Sequence, residues 1–151
     1  MAITANWYTN AAAGQYSATA ARRVDWVTNT IKVALCTSAY VPNQDTDVFF
    51  SAVTNELPTA GGYTAGGVAL AGKSVSYDAP TNDTRLIAAA SSWSAATFTC
   101  RIAVVYDATT GVAATEPLLG WVDFGADETV ASGTFTITWD ATNGVMKTTP
   151  A

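Results

Sequence analysis

Gly67 to Ser74 reads Gly-Val-Ala-Leu-Ala-Gly-Lys-Ser, which satisfies the written pattern of a phosphate-binding loop with Lys73 as its lysine. Such a loop grips phosphate because a strand leads into a glycine-rich turn and a helix leaves it, its first N–H groups aimed at the anion. Neither neighbour fits. Thr59 to Gly67 is rich in glycine and threonine and predicts a loop. Ser74 to Asp78 alternates polar and apolar residues, and Pro80 arrives before two helical turns could form. The same positions therefore predict a short β segment turning at Gly72, with Lys73 as a solvated strand residue. Ile102 to Asp107, an apolar run ending in an acid, could serve a nucleotide fold as its magnesium strand, but the β-α-β alternation that fold needs is missing. Asp123-Phe124-Gly125 matches a kinase magnesium motif, yet the chain has no histidine, so no His-Arg-Asp catalytic loop can accompany it.

The missing histidine also removes Ser-His and Cys-His nucleophile pairs and imidazole metal sites. Carboxylates remain: Asp45 with Asp47, and Asp123 with Asp127 and Glu128. Across a cleft, such acids could hydrolyse glycosides; with loop carbonyls they could hold calcium. An aspartate in a turn bonded to its own backbone accounts for them more simply. No catalytic residue, metal or cofactor is expected. Asn82-Asp83-Thr84 fits a glycosylation acceptor, with no secretory leader to support its use.

The elements that would position these residues follow from composition and pattern. A chain of 151 residues is enough for one domain with a real core. Charged residues are 13% of it, about half the usual share of roughly 25%, and Thr, Ser and Asn carry the polarity instead. That balance favours strands and turns. The net charge is −5 and Arg22-Arg23 is the only adjacent basic pair, which argues against nucleic acid and anionic lipid as partners. No segment approaches eighteen apolar residues, so no membrane span is expected. The opening residues, MAITANWYTN, lack the basic and apolar regions of a secretory leader, and a soluble chain made in a cytosol is expected.

Met1 to Tyr8 reads as an extended arm or first strand, and Asn10 to Ala21 as a weak, alanine-rich helix broken up by Gly14. Residues 1–22 are thus an N-terminal arm or short helix on a single β-rich domain spanning 1–151. Strands are predicted at Thr30–Thr37, Ser74–Asp78, Thr97–Asp107, Pro117–Gly125 and Gly133–Asp140, with a further one in Thr84–Trp93. Asp45 to Glu56 reads as a short helix or structured loop stopped by Pro58. In the last long strand Phe135, Ile137 and Trp139 point inward and Thr134, Thr136 and Thr138 outward. Asn143-Gly144 predicts a hairpin turn into a short final strand around Val145 to Thr148. The fold class is all-β, an antiparallel sandwich or barrel-like single domain. Cys36 and Cys100 fall in strands without any Cys-x-x-Cys spacing and are expected as buried free thiols; a disulfide would need their strands to be neighbours. Of five tryptophans, Trp93, Trp121 and Trp139 are expected in the core. Trp7 and Trp26 lie in less regular sequence, and Trp7 with Tyr8 suits an interface as well as a core.

Several ordered blocks resemble a group of small virion proteins of tailed bacteriophages: TIKVALCTSAYVPNQDTDVFFSAVTNEL, GYTAGGVALAGKSVSYD, RIAVVYD and WVDFGADETVASGTFTITWDATNG. The resemblance runs from about Val24 to Gly144 and rests on strands and turns, with no catalytic signature. It implies a β-rich fold in a copy-rich place on the particle, and it carries no active-site residues. The expected function is that of a non-enzymatic capsid decoration (cement) protein, made in the host cytoplasm, located in the virion and binding across subunits of the head. The alternatives are a tail, neck or fibre component, or a carbohydrate-binding module using exposed Trp and Tyr. The expected partners are the major capsid protein or other virion proteins, together with copies of itself in a cyclic oligomer such as a trimer. The candidate interface residues are Trp7 and Tyr8 of the arm, and Tyr40, Val41, Pro42, Phe49 and Phe50 of the loop Tyr40–Phe50.

Overall fold

A computed structural model describes residues 3–17, 19 and 22–149. Met1, Ala2, Ala18, Ala20 and Ala21, which the arm and helix expectations included, lie outside the described residues. The described chain runs β1 (Thr4–Trp7), α1 (Thr9–Gln15), β2 (Ile31–Cys36), β3 (Val68–Ala69), β4 (Ser74–Asp78), β5 (Asp83–Ile87), β6 (Ser91–Asp107), β7 (Leu118–Ile137) and β8 (Met146–Thr148), with short 3-10 turns at Phe50–Ala52 and Ala113–Thr115. It is an antiparallel all-β domain with one short helix near its start, as the alternation of apolar and polar residues predicts.

Five strands form one sheet in the order β1-β7-β6-β2-β3, and three form another in the order β4-β5-β8. Burial follows from position. β2 and the second half of β6 lie at the middle of the large sheet and are apolar on both faces; Lys32 is the one β2 residue not buried. Val33 faces Val105 across the ladder, and Val105 faces Gly120. Met146 of β8 comes down over that row: a Cβ on Gly120 would meet the Asn6 carbonyl and the Met146 sulfur, each at 2.8 Å. A side chain there would collide with the β1 backbone and displace the Met146 thioether, so the position requires glycine. The opposite face of the large sheet carries Tyr106, stacked on Phe50 at 3.9 Å, and Trp121, packed on Tyr8 at 4.6 Å.

Two elements differ from the sequence expectation. Pro117–Gly125 and Gly133–Asp140, predicted as separate strands, belong largely to one strand, β7, running Leu118–Ile137. The polar stretch between them stays in the ladder, with Glu128 opposite Cys100 and Val130 opposite Phe98. Continuity is hidden because the register slips between Cys100 and Ile102, where residues 124–127 bulge out, and again beside Ala96; a bulge shifts which residues face inward. The second difference is the last strand. The Asn143-Gly144 turn forms, closed by Gly144 N–H to Asp140 C=O at 2.8 Å, but β8 pairs with β5 in the other sheet rather than folding back along β7.

The phosphate-loop match resolves into sheet. β3 takes up Val68 and Ala69, and β4 begins at Ser74, so no helix follows Lys73. Gly67 has φ +72°, and a Cβ there would lie 1.9 Å from the Val33 carbonyl oxygen. Glycine is required for this approach of β3 to β2. Lys73 is half-buried and outside the strands; its ammonium donates to the Asn29 carbonyl, which corrects the expectation of a solvated strand residue.

Candidate functional site

The two segments singled out for docking meet in space. β1 pairs along the edge of β7, and the chain then turns into α1 with the Tyr8 ring buried. One backbone bond and one from a side-chain amide tie this corner to the loop after β2. Thr9 N–H donates to the Gln44 carbonyl at 3.1 Å, and the Asn10 amide donates to the Asp45 carbonyl at 2.9 Å. Beneath them the Tyr8 and Tyr40 hydroxyls share a hydrogen bond of 2.8 Å, and Tyr40 donates to Asp47 at 3.0 Å. Burial pushes both phenols above their ordinary range. They stay neutral at any physiological pH, and the pair acts as a fixed polar rivet under the surface.

The loop is held at its far end too. Phe50 N–H donates to the Glu116 carbonyl at 2.8 Å and Leu118 N–H to the Val48 carbonyl at 2.9 Å. Asp47 also accepts from the Asn43 N–H at 3.0 Å, and the Asn43 side chain accepts from the N–H groups of Asp45 and Thr46. A loop with its backbone groups so occupied has few alternatives open to it.

The seven candidate interface residues therefore divide. Val41 is 80% exposed at the crown of the loop. Trp7, Pro42, Phe49 and Phe50 are half-buried, and Phe50 spends one ring face on Tyr106. Tyr8 and Tyr40 are core residues, which moves them from the outer surface to its support. Their aromatic rings fill the space over the apolar face of the large sheet, and no local pattern separates that role from exposure.

Behind this corner lies a groove of about 930 Å³ between α1 and the face of the small sheet. Trp7 and Trp26 line it, with Gln15, Asp25 and Lys147 as polar groups and Tyr16, 93% exposed, at its mouth. Both indole N–H groups are used within the chain, Trp7 to the Lys147 carbonyl and Trp26 to the Ile87 carbonyl, each at 3.0 Å. Sequence reasoning did not find this groove, because its walls come from residues more than a hundred positions apart. A signal was present in Trp26, a large aromatic in irregular sequence.

The acidic candidates have local tasks. Asp123 pairs with Arg101 and accepts from the Gly125 N–H at 2.8 Å, so the Asp-Phe-Gly match is the start of the β7 bulge. The Arg101 guanidinium holds the Asp123 carboxyl below the usual carboxylate range. Asp127 and Glu128 are exposed further along the strand. Among the described residues no three of His, Cys, Asp or Glu gather closely enough to hold a metal ion. Cys36 and Cys100 are both free and buried. No described helix is long and apolar enough to cross a membrane. Compared with family models, curated proteins and solved structures, the chain matches none.

Proposed function

We propose that this chain is a non-enzymatic structural protein of a tailed-bacteriophage virion, acting as a capsid decoration protein that binds across subunits of the head. The sequence resemblance supplies the particle. The observation that supports a docking role is the corner where the N-terminal arm and the loop Tyr40–Phe50 are bonded into one surface crowned by Val41. A surface ordered before contact loses less conformational entropy on binding, so more of the contact energy appears as affinity. Contacts made only to the assembled, expanded shell stabilise that shell by mass action.

Purified protein mixed with undecorated, expanded heads is expected to co-sediment with them. Val41→Asp places a charge at the crown without touching the core and is expected to weaken binding by about tenfold or more while leaving the melting temperature unchanged. Wild-type protein that stays in the supernatant would remove the decoration role. Electron microscopy of the intact particle separates head from tail, neck or fibre.

The groove favours a second reading, a carbohydrate-binding module. Tyr16 at its mouth offers a flat apolar ring beside the polar groups of Gln15 and Asp25. Quenching of tryptophan fluorescence by host glycans would support it, and no response across a glycan panel would count against it.

A further inference from the structure

The small sheet ends in an edge with which no other strand pairs among the described residues: β4 is bonded to β5 alone. Natural edge strands are usually blunted by proline, by an inward charge, by a bulge or by extreme shortness. β4 has none of these: it reads Ser-Val-Ser-Tyr-Asp, pairs in unbroken register along all five residues, and carries its one charge at its last position. The other edges differ. β3 is two residues long, β8 carries Lys147, and β1 offers only Thr4, Ala5 and Asn6 as exposed side chains. On β4, Val75 and Tyr77 share a face and stand 51% and 62% exposed. Tyr77 is pinned in place, its hydroxyl donating to Asn82 at 2.7 Å.

We propose that β4 is a homotypic docking edge: two copies pair antiparallel through Ser74–Asp78 about a two-fold axis, joining two three-stranded sheets into one of six strands. The segment is complementary to itself. With the axis through Ser76, Val75 of each copy lies opposite Tyr77 of the other, which makes two β-branched–aromatic pairs on one face. Asp78 then lies opposite Ser74, so no like charges meet. The two Asp78 residues stand four positions apart along the ribbon, about 14 Å, beyond the screening length of about 8 Å at physiological salt. Each is already neutralised by its own Arg85 at 2.5 Å. Neighbouring registers that keep the faces matched are poorer. An axis through Val75 sets Tyr77 against Lys73, and an axis through Tyr77 runs Ser74 into Pro80, which cannot donate to a ladder. This inference is independent of the proposed virion role, since it concerns only the edge and its mate.

Sedimentation equilibrium from about 1 μM to about 1 mM should show a reversible monomer–dimer equilibrium. Val75→Lys with Tyr77→Lys replaces both apolar pairs by opposed charges and should weaken the dimer by at least tenfold, with β-sheet circular dichroism retained. Ser76→Cys tests the axis directly, since directly opposed residues of an antiparallel pair have Cα atoms about 4.5–5.5 Å apart, within disulfide reach. Under oxidised glutathione it should cross-link far faster than the exposed control Thr134→Cys. A wild-type chain that stays monomeric throughout, a dimer indifferent to the paired lysines, or Ser76→Cys cross-linking no faster than the control would each overturn the proposal.

Discussion

Tyr63 joins three parts of the molecule through one side chain. Its hydroxyl donates to Glu56 at 2.6 Å and accepts from the buried Leu35 N–H at 3.0 Å, while its ring packs between Trp93 and Phe98. Tyr63→Phe keeps the ring and strands the Leu35 amide, so a loss of about 1–3 kcal/mol is expected, read as a lower urea midpoint. Cys36 and Cys100 belong to the same scale. Burial pushes each thiol up to about 12, so almost no thiolate exists at pH 8. Ellman's reagent is expected to find no reactive thiol in the native protein and two after denaturation; rapid native labelling would contradict this. The thiols were legible in the sequence because they sit in apolar alternating runs. Tyr63 was not, because it lies in a Gly/Thr-rich stretch and its partners are brought to it only by the tertiary fold.

Among the elements, β8 is tied to β5 by a charged side chain. Asp83 of β5 is almost fully buried, accepts from the Thr149 hydroxyl at 2.7 Å and lies 3.4 Å from both Lys147 and Arg85. The Thr149 hydrogen bond, with help from Thr81, Lys147 and Arg85, lowers its carboxyl to about 2. A depressed acid favours the folded state above its unfolded value near 4, and that contribution disappears as pH falls through about 2. Between pH 5 and pH 2 the wild-type urea midpoint should therefore drop further than that of Asp83→Asn, whose side chain does not titrate. Equal slopes would show that the contact contributes nothing. β8 also shows where reading the elements stopped. A turn and a short strand were visible at Asn143-Gly144, but the choice of β5 as partner depends on the small sheet lying over Gly120. In β7, strict alternation was legible in Phe135 and Ile137, and the bulges that join this half to Leu118 erased the pattern between them.

For the whole molecule, the fold class was legible because period-two patterning, abundant Thr and frequent turn residues all point the same way. The division into two sheets was not, because strand partners far apart in sequence leave no local trace. Trp7 pairs with Gly120, and Met146 with Leu86. Such pairing requires long loops to close before contacts form, so refolding is expected in milliseconds to seconds. Stopped-flow tryptophan fluorescence reads this, and full recovery in microseconds would contradict the topology. The corner of arm and loop follows the same logic: its halves were each visible as chain, and the bonds from Tyr8, Thr9 and Asn10 to the loop, made only in the fold, join them into one surface.

The bond from the Trp7 indole to the Lys147 carbonyl sets β1 and β8 side by side. Ile3 lies four residues before Trp7 and Thr149 two after Lys147, so a flexible linker of about ten residues, able to reach about 30 Å, would close the described chain into a ring, and it could be reopened at Gly111, where an added Cβ meets nothing within 4 Å. The order in which these strands are translated is thus separable from the order in which they pack, and a circular permutant should build the same two sheets.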